Sequence, residues 1–294
     1  MKVFVTGAAG YIGGSVAAAL MREGHRVSGL VRSDERAAQV RERGIAPVLG
    51  TLDDAALLAR CANSADAVIH CADADHRASV AALLNALRGS GKTFIQTSGS
   101  SIVSDGADGE PGDAVYDEDT PVRPVPAREA RVALNDAILA TAQHGVRPIV
   151  IAPTLIYGRG RGVNPHSIQV PKMIALARKA GVAKYIGRGE NIWSNVHIDD
   201  LAELFLAALA RAPAGAFYYA ENGECSMKRL AEAIARALGL DGTASMTLAE
   251  AASEWGDRSA RWTFGSNSRV RARRARRELA WNPRRPDLLA TIEA

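Results

Sequence analysis

The sequence predicts an α/β protein built on a doubly wound parallel sheet, with a smaller C-terminal lobe. Three observations lead there. Short β-branched runs alternate with helical patterns through the first half, as repeated strand–helix–strand units require. A cluster of glycines at 7, 10 and 13 falls between the first strand pattern and the first helix. The alternation then breaks after residue 157 and gives way to Gly/Arg-rich and irregular helical sequence. The predicted division is a sheet-forming body over 1–157 and a lobe over 158–294. A strand near 193–197 and a helix over 199–211 are expected to return to the first body.

Val3–Thr6 is a β-branched strand, and Tyr11–Arg22 a helix stopped by Gly24. Arg26–Val31 is the second strand, Asp34–Arg43 a helix ended by Gly44, and Ala46–Leu49 the third strand. Asp53–Cys61 is a helix opened by acidic residues at its positive end. Ala67–Cys71 and Thr93–Thr97 are buried strands around a helix over Ser79–Arg88. Residues 98–126, rich in Gly, Asp and Pro, form a long loop, and such loops usually carry function or motion. Ala127–Gln143 is a long helix and Pro148–Ile151 the sixth strand. Beyond the break, helices are expected over Val170–Ala180, Asp199–Arg211 and Met227–Leu238. Short strands are expected over Lys184–Ile186, Trp193–Val196 and Ala216–Tyr219.

Composition narrows the class. Of 294 residues, 47% are apolar and 23% charged, which excludes a disordered tail or a fibrous repeat. No apolar run approaches the ~18 residues of a membrane span, and no secretory leader pattern precedes Val3, so no membrane partner is expected. Three scattered cysteines, Cys61, Cys71 and Cys225, make neither a disulfide framework nor a zinc site. The expectation is a reducing, cytoplasmic location and no metal. Of 36 basic residues only six are Lys. Arginines crowd at 269, 271, 273, 274, 276 and 277, but no aromatics interleave with them. A helix face is expected there rather than a nucleic-acid partner.

Thr6-Gly7-Ala8-Ala9-Gly10-Tyr11-Ile12-Gly13 follows a strand and opens a helix, the setting of a dinucleotide fingerprint. Gly7 permits the tight turn, Gly10 lets backbone approach a pyrophosphate, and Gly13 lets the helix pack on the sheet. Unpaired amides of the helix start then face the anion. This makes 1–157 a nicotinamide-dinucleotide body of the Rossmann type.

The Gly-x-x-Gly-x-x-Gly spacing after Thr6 resembles short-chain dehydrogenases/reductases of the extended and atypical branches, the epimerase/dehydratase-like group. Further segments agree: Val68–Ala72, Phe94–Ser98, Ile156–Gly160, Gly187–Asn191, Val196–Ala202 and Glu278–Pro283. The resemblance implies that Gly7, Ala9, Gly10, Tyr11, Ile12, Gly13, Arg32, Ser33, Arg36, Leu52, Asp53, Cys71, Ala72, Thr97 and Pro153 surround the coenzyme. It also implies a homodimer built on the long helices and a small-molecule substrate. After the second strand, Arg32 stands where a ribose-binding acid is usual, with Arg36 a helical turn beyond. Guanidinium groups hold a phosphate by bidentate bonds, so NADP is expected, with NAD as the alternative that Asp34 favours.

The family's Tyr-x-x-x-Lys pair is missing. Ala127 stands at the tyrosine position and Arg131 at the lysine position. Arginine binds ribose or phosphate oxygens but does not cycle a proton. Ser98 and Ser100 flank the usual serine position, and Tyr157 is the leading substitute proton donor. Tyr116, His197 and Asp199 are weaker candidates, and Arg159, Arg161 and Arg188 are candidates to hold an anionic substrate. Three functions compete: an NADP-dependent oxidoreductase on a small carbonyl or alcohol, a nucleotide-sugar epimerase or dehydratase, and a non-catalytic NADP-binding redox regulator.

Overall fold

The computed structural model describes residues 1–285 and 287–293. Its body is a seven-stranded parallel sheet: β1 (Lys2–Thr6), β2 (Arg26–Val31), β3 (Ala46–Leu49), β4 (Ala67–His70), β5 (Thr93–Thr97), β6 (Arg147–Pro153) and β10 (Ala216–Ala220). The order across the sheet is β10-β6-β5-β4-β1-β2-β3, so it reverses direction between β1 and β4. Ligands of such sheets bind at the carboxyl ends of the strands beside this reversal. Helices α1 (Tyr11–Arg22), α2 (Asp34–Arg41), α3 (Ala55–Ser64), α4 (Arg77–Leu87) and α5 (Pro126–Ala140) make the crossovers. Central strands are buried on both faces, so β1, β4 and β5 read as unbroken runs such as Thr93-Phe94-Ile95-Gln96-Thr97.

Two apolar clusters sandwich the sheet. Val5, Val16, Leu20, Ile69 and Ile151 lie on one side. Phe4, Leu58, Val68, Leu83 and Phe94 lie on the other. Asp54, one residue after the acid expected to open α3, caps that helix by accepting from Leu57 N.

The chain leaves this body after β6. Strand β7 (Leu155–Tyr157) pairs with β9 (Ile192–His197), and β11 (Glu224–Ser226) adds on the other side of β9. The segment near 193–197 therefore belongs to a separate three-stranded sheet, not to the central one. Its register is set by Leu155, Ile156 and Tyr157, which follow β6 with only Thr154 between. The return to the central sheet is made by β10. Helix α7 (Ile198–Arg211) packs against α1 through Leu201, Leu204, Phe205 and Ala208.

The lobe also holds α6 (Gln169–Ala180), β8 (Ala183–Ile186), α8 (Met227–Leu238), β12 (Thr243–Met246) and α9 (Leu248–Trp255). Helix α8 shows why it forms. Leu230, Ala231, Ile234 and Ala235 repeat at helical spacing and are buried, while Lys228, Arg229 and Arg236 face solvent. Helix α9 starts with a reciprocal capping box between Thr247 and Glu250.

The arginine run near the end is a strap. Arg269 and Arg271 pair with Glu224, Arg273 with Asp117, Arg274 with Asp119, Arg276 with Glu221 and Arg277 with Glu278. The long loop after β5 is stitched to the same strap. Asp105 accepts from Ser266 Oγ and Asn267 N, and Tyr116 bridges to Val270.

Candidate functional site

A cavity of about 640 Å³ opens at the reversal point of the sheet. Gly7, Ala9, Gly10, Arg32, Arg36, Leu52, Asp53, Cys71 and Ala72 line it, all of them expected from the sequence. Gly7 holds φ +71°, and a Cβ there would lie 2.9 Å from the Ala72 backbone. A Cβ at Gly13 would lie 2.4 Å from the Gly7 carbonyl oxygen. These two positions bring the start of α1 against the ends of β1 and β4. Thr6 Oγ1 fastens the same corner by accepting from the amides of Cys71 and Ala72.

Helix α1 begins at Gly10 with no side-chain cap and no acid in its first turn. Its first amides therefore lack an intrahelical partner, as at helix starts that bind anions. At the far end Arg32 and Arg36 are exposed on the wall. Arg36 Nη1 donates to Gln39, and Arg32 makes no hydrogen bond or ion pair among the described residues. Asp34, in the first turn of α2, is not on the wall. The cleft thus offers glycine backbone near its middle and exposed arginines on its wall, which fits a dinucleotide.

Some expected neighbours act one step back. Ser33 caps α2 by accepting from Arg36 N. Tyr11 donates its hydroxyl to the carbonyls of Tyr157 and Gly158, tying α1 to the lobe. Thr97 donates to Cys71 Sγ at 3.1 Å. Burial pushes the Cys71 thiol up to about 12, so it stays protonated at neutral pH. Asp53 is largely solvent-exposed and meets His76 Nε2 at 3.3 Å. Behind it, burial pushes His70 down to about 4, and its Nε2 sits 3.0 Å from Ser79 Oγ.

A second cavity, of about 350 Å³, lies nearby, its wall reaching Ile12, two residues after Gly10 of the first. Ile12, Ser98, Ser100, Arg131, Pro153 and Lys172 are on its wall. The Ser98 oxygen accepts from Asn135 Nδ2 at 3.0 Å, which leaves its own proton for an acceptor in the cavity. Ser100 is buried, with its Oγ 2.9 Å from Ser268 Oγ. Arg131 is held by Asp75: its Nε donates at 2.7 Å and its Nη2 at 2.6 Å. Ala127, one turn earlier on α5, presents only a methyl group to an adjoining cavity that Arg131 also lines.

Tyr157 is not brought to this wall. It is buried in the lobe core, edge-on to His197 with ring centroids 5.3 Å apart. Burial and the nearby carboxylates of Asp200 and Asp287 raise its pKa far above neutrality. The short strand β7 explains the difference, because it turns Tyr157 into the three-stranded sheet. His197 caps α7 by accepting from Asp199 N, and Asp199 pairs with Arg161. Arg188 pairs with Glu190 and Glu110. Arg159 is exposed. Lys172, Asn135, Asp75 and Arg258 were not singled out from the sequence. Their local spacing carries no signal; only the packing of α5, α6 and the 256–264 segment gathers them.

The model of the NAD dependent epimerase/dehydratase family matches residues 3–219. The chain belongs to this family. "Oxidase ucsJ" of Acremonium sp is 35% identical over 335 aligned positions, covering 99% of this chain and 95% of the relative. The 4-hydroxy-2-methyl-3-oxo-4-farnesyl-3,4-dihydroquinoline-1-oxide ketoreductase of Stigmatella aurantiaca is 30% identical over 239, covering 76% and 69%. Among solved structures, dTDP-glucose 4,6-dehydratase from Bacillus anthracis, in complex with NAD, superposes with a TM-score of 0.79. It shares 18% identity and covers 100% of this chain and 94% of that one. At that identity the likeness is one of fold. Among the described residues no helix is long and apolar enough to cross a membrane, and no cluster of three His, Cys, Asp or Glu is placed to hold a metal.

Proposed function

We propose that the protein is an NADP-dependent reductase of a small carbonyl compound. The carrying observation is the neighbourhood of the two cavities, which Gly10 and Ile12 line around the start of α1. A glycine-walled cleft with exposed arginines on its wall lies beside a cavity lined by serines. The amides of α1 would hold the diphosphate, Arg32 and Arg36 the 2′-phosphate, and Ile12 and Pro153 the nicotinamide side. When bound, the coenzyme supplies a hydride.

The chain's own groups supply the rest. Ser98, with its oxygen already occupied by Asn135, donates to the substrate carbonyl and orients it. Arg131 is a poor proton source, because guanidinium holds its proton far above neutral pH. Lys172 is the cationic acid on the wall that has no ion-pair partner among the described residues, and it is the proton donor in this reading. The relatives named oxidase and ketoreductase support redox chemistry at a carbonyl. Ala127 argues against the epimerase and dehydratase reactions, which start with oxidation at a tyrosine.

The test is to mix the pure protein with NADPH and panels of aldehydes, ketones and quinones while following nicotinamide absorbance. Turnover of at least one carbonyl, with NADPH favoured over NADH, is the expected result. Tight NADPH binding with no turnover on any panel overturns the reductase reading and favours a redox-reporting protein.

A further inference from the structure

Two arginines bond one carboxylate beside the reaction cavity, and a third lies close enough to feel its charge. Asp75 lies in the turn after β4. It accepts both Arg131 bonds described above and a longer one from Arg258 Nη2 at 3.4 Å. Arg128, on the same helix as Arg131, is buried. Its Nε has no hydrogen-bond partner among the described residues, and its Nη2 reaches only the Trp262 carbonyl, at 3.4 Å. Burial, then the charges of Arg131 and Arg258, push Arg128 down to about 10, so it is still a cation at neutral pH. Three positive groups thus share a single negative one. A buried cation with an unfilled donor is costly unless an anion completes it.

The space in front of this cluster is a cavity of about 440 Å³. Asp75, Arg77, Ala127, Arg131 and Arg258 are on its wall, and the buried Arg128 is not. Arg131 is shared with the reaction cavity, and Ser259, next to Arg258, also lines that cavity. A group held by the arginines therefore lies next to the cavity that Ser98 lines.

We propose that Arg131 and Arg258, with the charge of the buried Arg128 added to theirs, form a carboxylate-binding subsite, and that the substrate is a carbonyl compound carrying a carboxylate. The chemistry favours carboxylate over phosphate. The Arg131–Asp75 pair shows that the guanidinium fork in this cavity already takes a carboxylate edge-on. A phosphate dianion placed beside the resident Asp75 meets more like-charge repulsion than a monoanion does. The word substrate rests on the reductase reading; the subsite does not.

The test is calorimetric titration of the whole protein, without coenzyme, with benzoate and with its neutral counterpart benzamide. Benzoate is expected to bind at least tenfold more tightly than benzamide. Arg258→Gln is expected to remove that advantage with little change in melting temperature, because the Arg258 side chain is 66% exposed. Arg128→Gln, checked for an intact melting transition, should do the same. Equal affinities for benzoate and benzamide overturn the proposal, as does an Arg258→Gln protein that keeps the preference. Inorganic phosphate displacing benzoate at lower concentration overturns the carboxylate assignment. Loss of the reductase reading through absent turnover leaves the benzoate result untouched, so the two fail separately.

Discussion

The glycine cleft and the reaction cavity are built in opposite ways. In the cleft the working groups are backbone amides and uncommitted cations: Gly7 and Gly10 on the wall, no cap on α1, Arg32 unpaired among the described residues. In the reaction cavity the working groups are side chains already engaged with one another: Ser98 with Asn135, Ser100 with Ser268, Arg131 with Asp75. The first is suited to an anion. The second is a preorganised wall in which one hydroxyl proton and one ammonium group remain to act. Substitutions should therefore separate coenzyme affinity from turnover.

The largest effect is expected at Gly13. Its Cβ would press on the Gly7 carbonyl at 2.4 Å, so Gly13→Val displaces α1 from the sheet. Calorimetry should show coenzyme affinity lowered by about a hundredfold or more. Thermal melting should show a loss of roughly 1–3 kcal/mol, the usual cost of overpacking. In the reaction cavity, Lys172→Met should leave NADPH affinity unchanged and lower kcat by about a hundredfold, within the range for a lost general acid. Lys172→Arg should not restore it, because guanidinium does not release its proton near neutral pH.

A smaller effect, on stability, comes from the strap. Burial raises the pKa of Glu224, but hydrogen bonds from Arg269 and Arg271 outweigh it and hold the group at about 2. The folded value lies below the unfolded one of about 4.3, so this carboxylate stabilises the fold above that pH. The contribution fades as pH falls from about 4.3 toward 2. Glu224→Gln should lower Tm at pH 7 by a few degrees, with the gap closing in acid. The smallest effect is expected at Tyr157, which lies off the cavity wall. Tyr157→Phe should change kcat/KM by less than about threefold in a steady-state assay, the outcome for a residue that touches no reacting group.

The same contrast explains what could be read from the sequence. Tyr11–Arg22, Arg26–Val31, Ala46–Leu49 and Thr93–Thr97 have the boundaries expected of them, because glycines and β-branched runs mark them locally. The cleft was legible for the same reason, since its spacing is a backbone property within eight residues. Strand β7 was not, because it follows β6 without a turn signal, and so Tyr157, expected as the proton donor, lies in the lobe core instead. The reaction wall depends on pairs such as Asp75 with Arg131 and Ser98 with Asn135, 56 and 37 residues apart. Nothing in local spacing encodes those meetings. Each arginine of the strap likewise finds its carboxylate from a distant strand or loop or from a neighbour on its own helix.

The claim under all of this is that the turn between β1 and α1 seats a nicotinamide dinucleotide bearing a 2′-phosphate. Calorimetric titration with NADPH and NADH, on the native chain and on Arg32→Ser, tests it most directly. The native chain should bind NADPH more tightly. Arg32→Ser should lose roughly tenfold in NADPH affinity, as expected for a charged hydrogen bond, and none for NADH. Absence of binding heat with either coenzyme would contradict the account.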